Sequence, residues 1–190
     1  PLFETESALE HGGRFLDAPM TRTPREAAEG RLNLLVGGDA DLLQECLPLL
    51  QCFAEHITHT GAAGSGHRMK LLHNYVSLGS VALIAEAAAC ALAAGVAPEV
   101  FVDVLAKGGG GGVALERLRP YLLAQDPGGL RFSMSNALKD MGYYSAMARD
   151  GEAARGIAQA VHDSFALAVA EGGAQRLVPE LVEILNKKSR

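Results

Sequence analysis

The sequence predicts a mainly α-helical chain that opens on a short α/β segment, and three observations carry the prediction. Beyond Gly66 every hydrophobic pattern has a helical period. Before it, three short extended runs alternate with helical ones, as at the edge of an α/β sheet. No period of roughly 20 to 50 residues repeats, which excludes a solenoid.

The extended runs are Arg14 to Pro19, Leu32 to Gly37 and Ile57 to Gly61. A helix is expected over Asp39 to Phe53, capped by Asp39 or Asp41, with Pro48 as a candidate kink. Three such strands cannot bury both faces of a sheet by themselves. In the second part, helices are expected from Gly66 to Ala94, from Pro98 to Lys107 with Pro98 at the first helical position, and from Val113 to Ala124. Gly108 to Gly112, five consecutive glycines, must be a loop. Further helices fit Ser133 to Arg149, Ala153 to Glu171 and Pro179 to Lys188. The domain division expected is 1–62 and 63–190.

Composition narrows the function classes. With 190 residues and 48% hydrophobic content the chain can bury a sizeable core. A net charge of −5 and the lack of basic runs interleaved with aromatics argue against a nucleic-acid partner. Cys46, Cys52 and Cys90 are odd in number and lack C-x-x-C spacing, which points to reduced thiols and a cytoplasmic location. His56 and His59 lack further ligands at zinc-like spacing, so no metal site is expected. The opening PLFETESALEHGG has neither the basic nor the apolar region of a signal peptide. Tyr75 to Val96 is the one membrane candidate, but it is alanine-rich and carries Glu86 at its centre. It is therefore expected to be a buried central helix, with Glu86 as a structural partner inside the bundle, and no membrane association is expected.

The segment from Gly61 to Asn74, GAAGSGHRMKLLHN, is the most informative. A glycine-rich turn leads into an apolar helix that carries Lys70 and Asn74 four residues apart, on one face. A lysine in the opening turns of such a helix can hold its ammonium ready to protonate a nearby oxygen. The same pattern also suits a helix start with a snorkelling surface lysine. No G-x-G-x-x-G follows a strand and opens a helix, so the chain lacks a dinucleotide fingerprint.

Taken in order, Asp17-Ala18-Pro19, the strand ending Gly37-Gly38-Asp39, the G-x-x-G-x-G-x-x-x-K-x-x-x-N segment, Glu86 and Lys139-Asp140 resemble the β-hydroxyacid dehydrogenases, the family of 3-hydroxyisobutyrate dehydrogenase and tartronate semialdehyde reductase. The resemblance runs over essentially the whole chain. It implies the last strands of a truncated α/β Rossmann domain, followed by an all-α helical domain of the 6-phosphogluconate dehydrogenase type. The family's dinucleotide fingerprint lies in an opening portion that this chain lacks, so the chain alone is expected to be inactive.

By resemblance, Lys70 is the catalytic lysine and Asn74 orients the substrate oxygen or the lysine. Lys139 and Gly64 fall on the side of the cofactor, NAD or NADP. Lys139 can equally be a surface lysine paired with Asp140. Thr21, Arg22 and Thr23 stand where many members have a serine and two glycines that cradle a carboxylate. Arg22 offers a planar fork to an anion in their place and is similar to the pattern of sulfolactaldehyde reductases. His73 replaces the first asparagine of an Asn-Asn pair, or packs on the bundle. The implied substrate is a small anionic β-hydroxyacid or its semialdehyde, and the implied assembly a homo-oligomer, dimer or tetramer. A non-catalytic helical dimerisation module is the alternative.

Overall fold

The computed structural model describes residues 10–188. The chain forms two compact units, Pro1–His73 and Asn74–Arg190.

The first unit is built on β3 (Leu32–Gly38), whose Leu32, Leu34 and Val36 are buried. Against it pack Leu43, Leu47 and Leu50 of α2 (Ala40–Leu50), which Asp39 caps by accepting a hydrogen bond from the Leu42 N–H at 2.8 Å. Pro48 does not end the helix, which runs two residues further. The other neighbours of β3 make a mixed sheet. β4 (Ala54–Gly61) runs parallel to it, while β1 (Leu16–Asp17) and β2 (Met20–Thr21) pair antiparallel with its two ends. The run expected at Arg14 to Pro19 thus shortens to β1, and β2 follows it after Ala18 and Pro19, since proline has no N–H for the ladder. β4 begins at Ala54, three residues earlier than the apolar pattern indicates, since its first residues are largely exposed and polar. Between β2 and β3 lies the five-residue α1 (Pro24–Ala28).

The second unit is helical. It contains most of α3 (Ser65–Ala93), then α4 (Pro98–Lys107), α5 (Val113–Ala124), α6 (Met134–Asp150), α7 (Gly156–Ala168) and α8 (Leu181–Lys188). Its core joins Val81, Ala85 and Ala88 of α3 to Leu115 and Leu118 of α5, Met141 of α6, Phe165 of α7 and Leu181 of α8. Small alanine side chains let the neighbouring helices approach closely. α7 ends at Ala168, three residues before Glu171, in a widened turn whose Gly172 adopts φ +82°.

Two expectations about α3 are corrected. The helix is long and apolar enough to cross a membrane by length and composition, its most apolar 18-residue window having a mean hydropathy of 1.9, yet only 39% of that window is buried. It is therefore not enclosed on all sides by the described residues. Glu86 is exposed rather than inside the bundle, because it falls on the face of Val76, Gly79 and Leu83, away from Val81, Ala85 and Ala88.

Candidate active site

Asp17 organises the start of α3. Its carboxylate is fully buried and accepts hydrogen bonds from the Gly64 N–H at 2.6 Å and the His67 N–H at 3.0 Å, with the His67 imidazole 3.2 Å away. These amides are among the unpaired donors of a helix N-terminus, so the carboxylate acts as a cap supplied from β1. Gly64 takes φ +85°, which glycine adopts without strain. Gly66 is needed for another reason. A Cβ there would lie 2.2 Å from the Leu35 carbonyl oxygen and 2.6 Å from Asp17 Oδ2. Gly37 is equally confined by Asp17, Ser65 and Gly66.

Gly66 thus lies against Gly37 and the Leu35 carbonyl, in the second half of β3. Lys70, one turn beyond Gly66, is partly buried, and Thr21 pairs with Asn33 near the amino end of β3. Thr21 is buried, and opposite it the buried Asn33 Oδ1 has no hydrogen-bond partner among the described residues.

The neighbouring loop residues are already engaged. Arg22, with φ +80°, directs Nη1 to the carboxylate of Glu55 and to the Arg31 carbonyl, so the expected anion fork is charge-paired within the chain. That hydrogen bond holds the Glu55 carboxyl below the usual range. Thr23 precedes α1, where its N–H donates to Glu26 Oε2 at 3.0 Å.

In the second unit α3 presents Asn74, whose Nδ2 donates to Asp140 Oδ2 of α6 at 2.8 Å. Asp140 is only 13% exposed and also faces the Lys139 ammonium, 3.6 Å from Oδ1. An ionised carboxylate only accepts, so this contact fixes which end of the Asn74 amide points at Asp140. One turn along α3, Ser77 Oγ receives a hydrogen bond from Arg117 Nη1 of α5 at 2.9 Å. Tyr75 stacks on Tyr144 with ring centroids 4.0 Å apart, which fixes α6 on α3 beside this face. His73 is exposed. Of the expected residues, Asn74 and Lys139 are thus joined through Asp140, while Gly64 has given its N–H to Asp17. Asp17, Glu55, Ser77 and Arg117 were not read as site residues. Their partners lie between 33 and 50 residues away in sequence, beyond the reach of local patterns.

The glycine turn before α3 is not itself a pyrophosphate cradle, because two of its amides are capped by a carboxylate, which repels phosphate. No group of three or more His, Cys, Asp or Glu suited to a metal occurs among the described residues.

Comparison with known proteins identifies the class. Residues 64–185 match the family model described as the NAD-binding domain of NADP-dependent 3-hydroxyisobutyrate dehydrogenase, and residues 4–61 match the NAD binding domain of 6-phosphogluconate dehydrogenase. The first match covers more than half of the chain, and the chain belongs to the 3-hydroxyisobutyrate dehydrogenase family of NAD(P)-binding β-hydroxyacid oxidoreductases. An uncharacterised oxidoreductase of Synechocystis is 38% identical over 74% of this chain and 48% of its own length. The NAD-dependent L-serine dehydrogenase of Pseudomonas aeruginosa is 34% identical over 60% of this chain and 39% of its own length. Among solved structures, Mycobacterium tuberculosis 3-hydroxyisobutyrate dehydrogenase with L-serine superposes with a TM-score of 0.85 at 27% identity, over 95% of this chain and 64% of that one. The chain spans about half the length of the curated relatives it matches first.

Proposed function

We propose that the chain forms the substrate side of an oxidoreductase that interconverts a small anionic β-hydroxyacid and its semialdehyde. The observation that carries the reading is the pairing on α3 of Lys70 with Asn74, four residues on, and the anchoring of Asn74 by Asp140. NAD or NADP, when bound, supplies or accepts the hydride at the β-carbon. Lys70 holds its ammonium at the oxygen of that carbon, gives it a proton during reduction and takes one back during oxidation. Asn74 orients the same oxygen or the lysine. Thr21, Arg22, Thr23 and His73 are assigned to the substrate side, where Arg22 meets an anion once Glu55 releases it. Lys139 is assigned to the nicotinamide side of the cofactor.

Relatives named L-serine dehydrogenase, 3-sulfolactaldehyde reductase and 3-hydroxyisobutyrate dehydrogenase support the substrate class. The Thr21-Arg22-Thr23 loop favours a second reading of the same site, a sulfolactaldehyde-type reductase. The 3-sulfolactaldehyde reductase of Escherichia coli is 36% identical over half of this chain and 32% of its own length. We also assign the protein to the cytoplasm, where its three free cysteines stay reduced, and to a homo-oligomer.

The test supplies a relative's dinucleotide-binding segment in front of this chain and adds a semialdehyde with NADH or NADPH deuterated at C4. The expected product is a β-hydroxyacid with deuterium on the β-carbon. Consumption of neither cofactor, or a product without label, contradicts the reading.

A further inference from the structure

We propose that His67, backed by Asp17, is the proton relay that serves Lys70. The inference rests on the assignment of Lys70 as the proton donor and concerns how that lysine recovers its proton between turnovers. All three residues belong to the first unit. The His67 side chain is 43% exposed, whereas the Asp17 carboxylate, 3.2 Å from its Nδ1, is fully buried. The ring therefore reaches from a buried carboxylate to water.

The cap at the start of α3 does not need this ring. Asp17 takes its amide hydrogen bonds from the backbone N–H groups of Gly64 and His67, which any residue other than proline would supply at position 67. The imidazole is a separate, third contact. An ionised carboxylate only accepts, so Nδ1 carries its hydrogen toward Asp17, and in the neutral ring Nε2 is left as the acceptor. Asp17 thereby fixes which nitrogen of His67 exchanges a proton.

Lys70 stands three residues further along α3, a rise of about 4.5 Å. Side chains at that spacing are neighbours on the helix surface, with Cβ atoms about 5 to 6 Å apart. A lysine stem and an imidazole close that gap directly or through one water. When the carbonyl is reduced, the Lys70 ammonium gives its proton to the carbonyl oxygen and is left as a neutral amine. The amine takes the proton held on His67 Nε2. The imidazole then takes another from water or buffer at its exposed edge, so each reduction draws one proton from solvent. Oxidation runs the same transfers in reverse and returns one.

The test uses the chain joined to a relative's dinucleotide-binding segment, with 3-hydroxyisobutyrate and NAD or NADP. His67→Gln keeps a donor for Asp17 but carries no proton. It is expected to lower kcat about tenfold in dilute buffer with KM unchanged, less than the loss of the acid itself because water still reaches the lysine. Added imidazole should restore the turnover of His67→Gln and leave the wild type unaffected, a response that a merely structural loss does not show. In the 190-residue chain, NMR of the ring nitrogens should find the neutral His67 imidazole protonated at Nδ1. Thermal melts check folding, and the NMR measurement carries the test if His67→Gln does not fold. The relay is overturned if His67→Gln matches the wild type in dilute buffer, if imidazole restores nothing, or if the neutral ring carries its hydrogen on Nε2. An active Lys70→Ala would sink the assignment of Lys70 and the relay with it. An inactive Lys70→Ala beside an unimpaired His67→Gln would sink the relay alone.

Discussion

At the scale of single residues, the arrangement depends most on Asp17. Its buried carboxylate holds the opening turn of α3 through two amides and a histidine, and so fixes where Lys70 begins its reach. Asp17→Ala would leave those partly buried amides without their acceptor, at a cost of about 1 to 3 kcal/mol. Urea denaturation is expected to show that loss, and one below about 1 kcal/mol would contradict the capping role. The Lys70 and Asn74 pair was legible in the sequence because a four-residue spacing on a helix is a local property. Asp17 appeared there only as part of a motif. Its partners are 47 and 50 residues away and are brought together by sheet pairing that no window of sequence contains. Arg22 shows the same limit from the other side. Its charge suggested an anion, and only folding reveals that Glu55 on β4 already supplies one.

At the scale of elements, helices were read closely and strands loosely. α3 to α6 begin and end within a residue or two of their sequence signals, since Pro98, the glycine run and Ser133 mark boundaries chemically. β1 and β2 have two residues each, too few for any alternation to show. Two glycines test the helix packing. Gly66→Ala forces a methyl against the Leu35 carbonyl and Asp17, and is expected to destabilise by about 1 to 3 kcal/mol. Gly142, inside α6, has nothing within 4 Å of a built Cβ. Gly142→Ala should therefore stabilise, by about 0.5 to 1 kcal/mol, because alanine restricts the unfolded chain and favours the helix. Chemical denaturation of both variants reads the contrast. Equal effects of the same sign would mean that α3 does not press on β3 as described.

At the scale of the molecule, the exposed side of α3 calls for a partner. Tyr75, Val76, Gly79 and Leu83 line a groove of about 390 Å³ against Ile157 and Ala160 of α7. Val76, Leu83 and Ile157 are 63%, 71% and 75% exposed, an apolar patch that water does not favour. Sedimentation at micromolar concentration is expected to show at least a dimer, and Leu83→Asp is expected to shift it toward monomer. A monomeric wild type would contradict the proposed assembly. The central claim, that Lys70 is the proton donor of the site, is tested most directly by Lys70→Ala in the chain joined to a dinucleotide-binding segment. The account predicts a fall in kcat of at least about a hundredfold with cofactor affinity little changed, the signature of a lost general acid. Turnover within about threefold of wild type would contradict it.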